Sequence, residues 1–257
     1  MMNRLPLLAL LTCTLPCTAA PEWDIVGLRL GMNEAEAKAA LAAHSAQAQV
    51  SERSLRFTFH DGAKQQESPG FLSTIEARIP GPAGEVIQLE LSAPPLPQRV
   101  IRVRRTLSAY DDPPPLERML GSVTQKYGKP AAQRKHGIGN ITTVASWTEQ
   151  GKPVCGLKAG PNQPLVLPSV SQSPDALRWY RRQQQQNLAP ADASRCSAVL
   201  QVDLITRAGG SSVVTLSFEM NDPGHAVPAM EATSRWLADL EAAARKARLG
   251  SGATPKL

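Results

Sequence analysis

The sequence predicts an α+β protein of two successive modules, each made of helices packed on antiparallel β-sheets. Three observations predict it. Short runs of alternating apolar and polar residues recur, bounded by Gly, Pro and Asp turns. Stripes of helical period stand before, between and after those runs. The resulting order is helix, strands, helix, strands, helix, with the join near Asp111.

Residues 1–20 read as a signal peptide. Arg4 supplies the positive end, Leu5 to Leu15 form an apolar run too short to span a bilayer, and Thr18-Ala19-Ala20 offers small residues for cleavage. Lipidation at Cys17 is the alternative, opposed by Pro16 where a small residue is usual. The first module is expected over 21–110. Asn33 is placed as an N-cap with Glu36 three residues on, the pattern of a capping box before an alanine-rich helix. Leu55, Phe57 and Phe59 alternate with Arg56, Thr58 and His60, and Ile75, Ala77 and Ile79 alternate with Thr74, Glu76 and Arg78. Both runs predict half-buried strands, followed by a third over Glu85 to Ser92 and a fourth carrying Ile101, Val103 and Leu107.

The second module is expected over 111–249. Leu116, Leu120, Val123 and Tyr127 share one helical stripe, which Gly128 and Pro130 end. Thr142 to Glu149 reads as a strand around Trp147. Leu200, Val202 and Leu204 face Val214, Leu216 and Phe218 across Gly209-Gly210 as a hairpin. His225 to Arg248 is an amphipathic helix with Met230, Thr233, Leu237, Leu240 and Ala244 on one side. Residues 157–195 form an insertion with a short helix started by Ser173 and Pro174 and ended by Gln183 to Gln186; residues 250–257 form a tail. Trp147, Trp236 and Phe218 are expected in the core.

Cleavage of the leader removes Cys13 and Cys17 and leaves Cys155 and Cys196 as an isolated pair. In an oxidising compartment such a pair is most simply a disulfide. Neither cysteine has a nearby histidine or a CxxC partner that would make it a reactive thiol or a zinc ligand. The net charge of +6 and pI near 9.4 favour acidic partners. Nucleic acid is not expected outside the cytoplasm, whereas peripheral contact with an anionic membrane is a third reading beside partner binding and hydrolysis.

Catalytic signals are thin. No nucleophile elbow, zinc-protease helix or phosphate-binding loop motif is present. His44, His60, His136 and His225 each read as solvated or capping residues; Asp203 and Glu219 fall on outward strand positions, and Asp222 is placed to cap the last helix. His136 to Asn140 reads as a hairpin loop. No metal and no cofactor is expected. Two basic features remain, Arg99, Arg102, Arg104 and Arg105 on a strand, and Arg178, Trp179, Tyr180, Arg181 and Arg182 on the insertion helix. The second combines aromatic and guanidinium side chains, the composition of protein-binding hot spots, and is the candidate partner-binding surface. Its aromatics have a structural alternative, which is to pin the insertion to the sheet.

The run Asp24-Ile25-Val26-Gly27-Leu28-Arg29-Leu30-Gly31-Met32-Asn33 leading into a helix resembles the opening of the SmpA/OmlA (BamE) envelope lipoproteins. Lys126-Tyr127-Gly128-Lys129-Pro130 is similar to the helix ending of the same group. The tandem layout resembles β-lactamase inhibitor protein, two helix-plus-sheet modules that act by binding. The resemblance implies an exported bacterial protein, non-enzymatic and periplasmic, that binds another envelope protein as adaptor, inhibitor or immunity factor. The alternative is an envelope hydrolase, which a cluster of His136 or His225 with a buried carboxylate in a cleft would favour.

Overall fold

The computed structural model describes residues 23–108, 110–155, 174–186, 189–207 and 209–250. The expected signal peptide, most of the first half of the insertion with Ser173, and nearly all of the tail lie outside these residues. Helix α1 (Glu34–His44) begins at the capping box expected from its sequence. The Asn33 Oδ1 accepts the Glu36 N–H at 3.0 Å, and the Glu36 carboxylate accepts the Asn33 N–H at 2.8 Å. Two otherwise orphaned donors are thereby satisfied.

Strand β1 (Gln49–Leu55) follows, then a small hairpin of β2 (Thr58–His60) and β3 (Gln65–Glu67). This corrects the single strand expected over Leu55 to His60. The chain leaves the main sheet after Leu55, and Phe57 instead packs on Phe71, with ring centroids 5.1 Å apart. Strands β4 (Phe71–Ile79), β5 (Gly84–Leu91) and β6 (Val100–Ser108) then run as a meander. Helix α2 (Leu116–Tyr127) ends at Gly128, whose φ of 80° suits glycine. Strand β7 (Ala132–His136) pairs with β8 (Ile141–Thr148). In their loop, a Cβ on Gly137 would lie 2.1 Å from the Asn140 carbonyl oxygen, so only glycine fits. Helix α3 (Pro174–Gln185), strands β9 (Val199–Thr206) and β10 (Val213–Asn221), and helix α4 (Pro223–Gly250) complete the order.

The class is α+β with antiparallel pairing, and eight strands form one continuous sheet in the order β1-β4-β5-β6-β10-β9-β8-β7. Strand β6 joins β10 at its centre, pairing Val103 with Met220 and Leu107 with Leu216. The β9–β10 hairpin pairs Leu204 with Leu216 and Val202 with Phe218, close to the facing expected from the sequence.

One face of the sheet carries Ile75, Ile87, Leu89, Val103, Trp147, Leu200, Val202, Leu204 and Phe218, and it buries Ala37 and Leu41 of α1 and Val123 of α2. Trp147 also donates its indole N–H to the Gly128 carbonyl at 3.0 Å, so the end of α2 is tied to β8. Trp236, in contrast, is half-buried outside this cluster.

A second, smaller cluster joins Ile101 to Leu177 and Tyr180 of α3, Ala193, the two cysteines, and Ala226, Val227 and Met230 of α4. A bulge in β6 creates the division. Glu90 pairs with Arg102 and Leu91 with Val100, so Ile101 is the extra residue. The bulge re-aims it, and Val100 and Ile101, adjacent in sequence, end in different clusters.

The Cys155–Cys196 disulfide is present, with both residues buried in this second cluster. The buried residues of α4 end at Thr233, so only its first third behaves as the expected packed stripe; Leu237 and Leu240 are half-buried. No described helix is long and apolar enough to cross a membrane.

Candidate functional site

Strand period places Arg102 and Arg104 on the face opposite the main core and Arg105 on the core face. Arg102 lies between two carboxylates, 3.1 Å from Glu90 and 2.9 Å from Glu219, and Arg104 reaches the same Glu219 at 3.9 Å. On the other face Arg105 binds Glu85 at 2.6 Å, and His44 of α1 reaches the same carboxylate oxygen at 2.9 Å. All three arginines of β6 are therefore paired within the chain, and Arg99, expected on the same strand, stands just before it. The basic strand is a structural element, not an open patch.

Three readings of the sequence change here. Glu219 is not a solvated outward residue; its side chain is only 18% exposed within the Arg102 pair. Burial pushes the carboxyls of Asp203 and Glu90 above their usual range, and in each the negative charge of Glu219 adds to the effect. His44 is likewise not solvated, since it bridges α1 to β5. The sequence carried each residue's parity along its strand, but not which carboxylate would stand opposite, because those partners come from 12 to more than 100 positions away on other elements.

The insertion helix α3 divides its residues by face. Leu177, Tyr180 and Gln184 point inward. Tyr180 is 1% exposed, its hydroxyl donates to the Pro190 carbonyl at 2.9 Å, and it lies 3.6 Å from the Cys196 sulfur. Tyr180 thus pins α3 to the disulfide and is withdrawn from the predicted contact surface. The Trp179 side chain lies outside the described part of the helix.

Arg178, Arg181, Arg182 and Gln185 recur at i, i+3, i+4 and i+7 on the exposed stripe and line a shallow groove of about 380 Å³. Arg178 and Arg181 also form the mouth of a second, mainly apolar pocket of about 200 Å³. Its walls include Phe57, Ile101, Leu177, Ala229, Met230 and Leu237, so it sits where α3, α4 and the β6 bulge meet. Among the described residues no carboxylate lies within salt-bridge distance of Arg181 or Arg182.

At the other side of the disulfide region a cleft of about 590 Å³ opens between the segment Trp23 to Glu36 and the start of α4. Glu149, Lys152, Asp222 and His225 line it. Asp222 accepts the His225 backbone N–H at 3.0 Å, the helix-capping role expected for it. Burial raises the Asp222 carboxyl above its usual range, against the lowering effect of the His225 hydrogen bond. Glu149 accepts the Ala198 N–H at 2.8 Å and pairs with Lys152 at 3.0 Å. Among the described residues no group of His, Cys, Asp and Glu is arranged to hold a metal ion.

Comparison with known proteins gives no matching family model, no matching curated protein and no matching solved structure.

Proposed function

We propose that this chain is an exported, periplasmic, non-enzymatic protein that binds another envelope protein, as adaptor, inhibitor or immunity factor, through the exposed arginine stripe of α3. The observation that carries the reading is the position of Arg178 and Arg181 at the mouth of an apolar pocket. Protein-binding hot spots combine a desolvated apolar anchor point with arginine, and this pairing supplies both. The disulfide beside Tyr180 supports a rigid mount for α3 and fits an oxidising compartment.

The two-module reading, 21–110 and 111–249, is part of the same proposal. The strand order supports it: a helix precedes β1, β4, β5 and β6, another precedes β7, β8, β9 and β10, and the last strand of each set meets the other at the centre. The likeness to SmpA/OmlA (BamE) and β-lactamase-inhibitor-protein modules is proposed on that layout, on the capped opening of α1 and on the Gly128 ending of α2.

Pull-down of the mature protein from periplasmic extract tests the function. A stoichiometric protein partner retained by wild type and lost in Arg178→Glu/Arg181→Glu is the expected result; a partner bound equally by both removes this surface. Mass spectrometry of the mature N-terminus tests export, with a chain beginning at Pro21 expected.

One observation favours a second reading, an envelope hydrolase. His225, Asp222 and Glu149 share a cleft, and burial keeps Asp222 partly protonated at higher pH than an ordinary carboxyl. A panel of ester, amide and glycoside substrates with His225→Ala as control separates the readings: turnover lost in that variant supports hydrolysis.

A further inference from the structure

The pocket and the groove share Arg178 and Arg181, so they form one composite site with an apolar hole continued by a basic track. Their dimensions limit the occupant. An apolar cavity of about 150 Å³ takes one benzene ring, six carbons. A hole of about 200 Å³ therefore holds one large side chain. At the same packing a lipid tail of fourteen carbons needs roughly 350 Å³, nearly twice the space present. The hole is also pre-formed: Ile101 and Ala226 in its wall are fully buried in the second cluster, and the β6 bulge fixes Ile101 there. A pre-formed pocket saves the ordering cost that otherwise weakens association.

Charge limits the occupant further. Arg181 and Arg182, followed by Gln185, stand along one turn of the helix, roughly 6 Å of basic track at the 1.5 Å rise per residue. Guanidinium groups match carboxylates in bidentate geometry, so the complement of this track is an acidic chain.

Resting on the protein-binding reading above, we propose that the composite site receives an acidic segment of the partner that carries one large apolar side chain, Phe, Leu, Met or Trp. The apolar side chain enters the hole against Ile101, Leu177 and Met230, and neighbouring Asp or Glu residues lie along Arg181 and Arg182.

The test uses the mature, oxidised protein and synthetic peptides followed by ¹⁵N NMR and by fluorescence anisotropy. The probe is a capped Asp-Glu-Phe-Asp-Glu peptide, compared with the same peptide bearing Ser for Phe and with a Lys-flanked Phe peptide. Expected is saturable binding that perturbs the Ala226, Ala229 and Met230 amides, weakened at least tenfold by loss of either the Phe or the acidic flanks. Raising salt weakens it as well. Ala229→Leu, a helix-compatible substitution that fills the hole, is expected to remove the Phe preference while leaving a weak, salt-sensitive acidic interaction. Its unfolding midpoint is measured alongside, and Leu237→Ser serves as a second pocket variant should Ala229→Leu fail to fold.

No amide shifts at millimolar peptide, or equal binding of the Lys-flanked peptide, overturns the proposal. Binding of phosphatidylglycerol vesicles with no response to the Phe peptide reassigns the site to a membrane surface. A partner that is lost with Arg178→Glu/Arg181→Glu yet not displaced by the peptide sinks this inference and leaves the protein-binding reading standing; a partner unaffected by the charge reversal sinks both.

Discussion

Replacing both cysteines in Cys155→Ala/Cys196→Ala tests how far the second cluster depends on its covalent link. The bridge closes a loop of 41 positions across Cα atoms 5.5 Å apart. In the chain-entropy model a loop of this length restrains the unfolded chain by about 4 kcal/mol at 25 °C. Set against a typical total of about 5–15 kcal/mol, that is between a quarter and most of the stability. Alanine is the right replacement, because serine would place a hydroxyl without a partner in a site that is 1% exposed at both positions. Urea unfolding followed by circular dichroism measures the effect. With a slope of about 2–3 kcal/mol per molar, the midpoint is expected to fall by roughly 1.3–2 M. The amides of α3 and of the 3-10 turn Ala193–Arg195 are expected to lose protection first, since Cys196 follows that turn and touches Tyr180. A midpoint change worth less than about 1 kcal/mol with an unaltered slope would refute the loop-entropy argument.

Three further outcomes are expected. Tyr180→Phe costs only about 1 kcal/mol in urea unfolding, because the Pro190 carbonyl it leaves also accepts from Gln184 at 3.0 Å, whereas Tyr180→Ala costs about 3–5 kcal/mol through the cavity; equal costs would contradict the packing role. Arg102→Ala leaves Glu90 and Glu219 facing each other and is expected to cost about 3 kcal/mol at pH 7, with part of the loss recovered on acidification as Glu90, already raised by burial, takes up a proton; a pH-independent loss argues against stranded carboxylates. Asp61 accepts N–H groups from Lys64 and Ala63 and the Gln66 amide, which hold its carboxyl at about 2. Its folded value lies below the ordinary 3.8, so its contribution is complete above that pH and disappears as the pH falls through about 2; an NMR titration midpoint near 4 would show that the β2–β3 turn does not order around it.

Legibility of the fold followed burial. Strands β4, β5, β9 and β10 alternate buried and half-buried residues along nearly their whole length, so their period-two pattern is written in the sequence. Strand β1 has six exposed residues of seven, and β7 none that is buried, since each is an edge strand with one neighbour. With no face to bury, neither needs an apolar period, and the chemistry of Gln-Val-Ser-Glu-Arg-Ser-Leu reads as loop. The misread strand at Leu55 to His60 has the same origin: its aromatics alternate, but they serve a small hairpin and the α4 pocket.

The candidate site was half legible. The sequence singled out the α3 cluster by composition, and its helical spacing already separated residues 177, 180 and 184 from 178, 181, 182 and 185. What the spacing could not supply was the direction of the sheet. Tyr180 stands among the arginines in sequence, yet a tyrosine in the stripe of Leu177 is buried when its hydroxyl finds a carbonyl. The pocket itself had no local signature, because its wall requires Ile101 to break the alternation of β6, and a bulge shows only once the partner strand is in place.

The two arginine groups of this chain illustrate how a similar residue content yields opposite consequences. On β6, neighbouring strands stand about 4.8 Å apart, so a long arginine side chain readily meets carboxylates on β5 and β10, and its charge is spent on holding the sheet together. On α3, the groove along the outer stripe is lined by Arg178, Arg181, Arg182 and Gln185, and the neighbouring helix α4 offers the pocket an apolar face. Like charges on one helical stripe, as at Arg181 and Arg182, disfavour the helix unless something negative settles beside them. The sheet arginines have their counter-charges within the chain, whereas among the described residues Arg181 and Arg182 of α3 pair with no carboxylate; charge reversal at Arg181, unlike removal of Arg102, is therefore expected to leave the unfolding midpoint almost unchanged while weakening the proposed contact with an acidic partner.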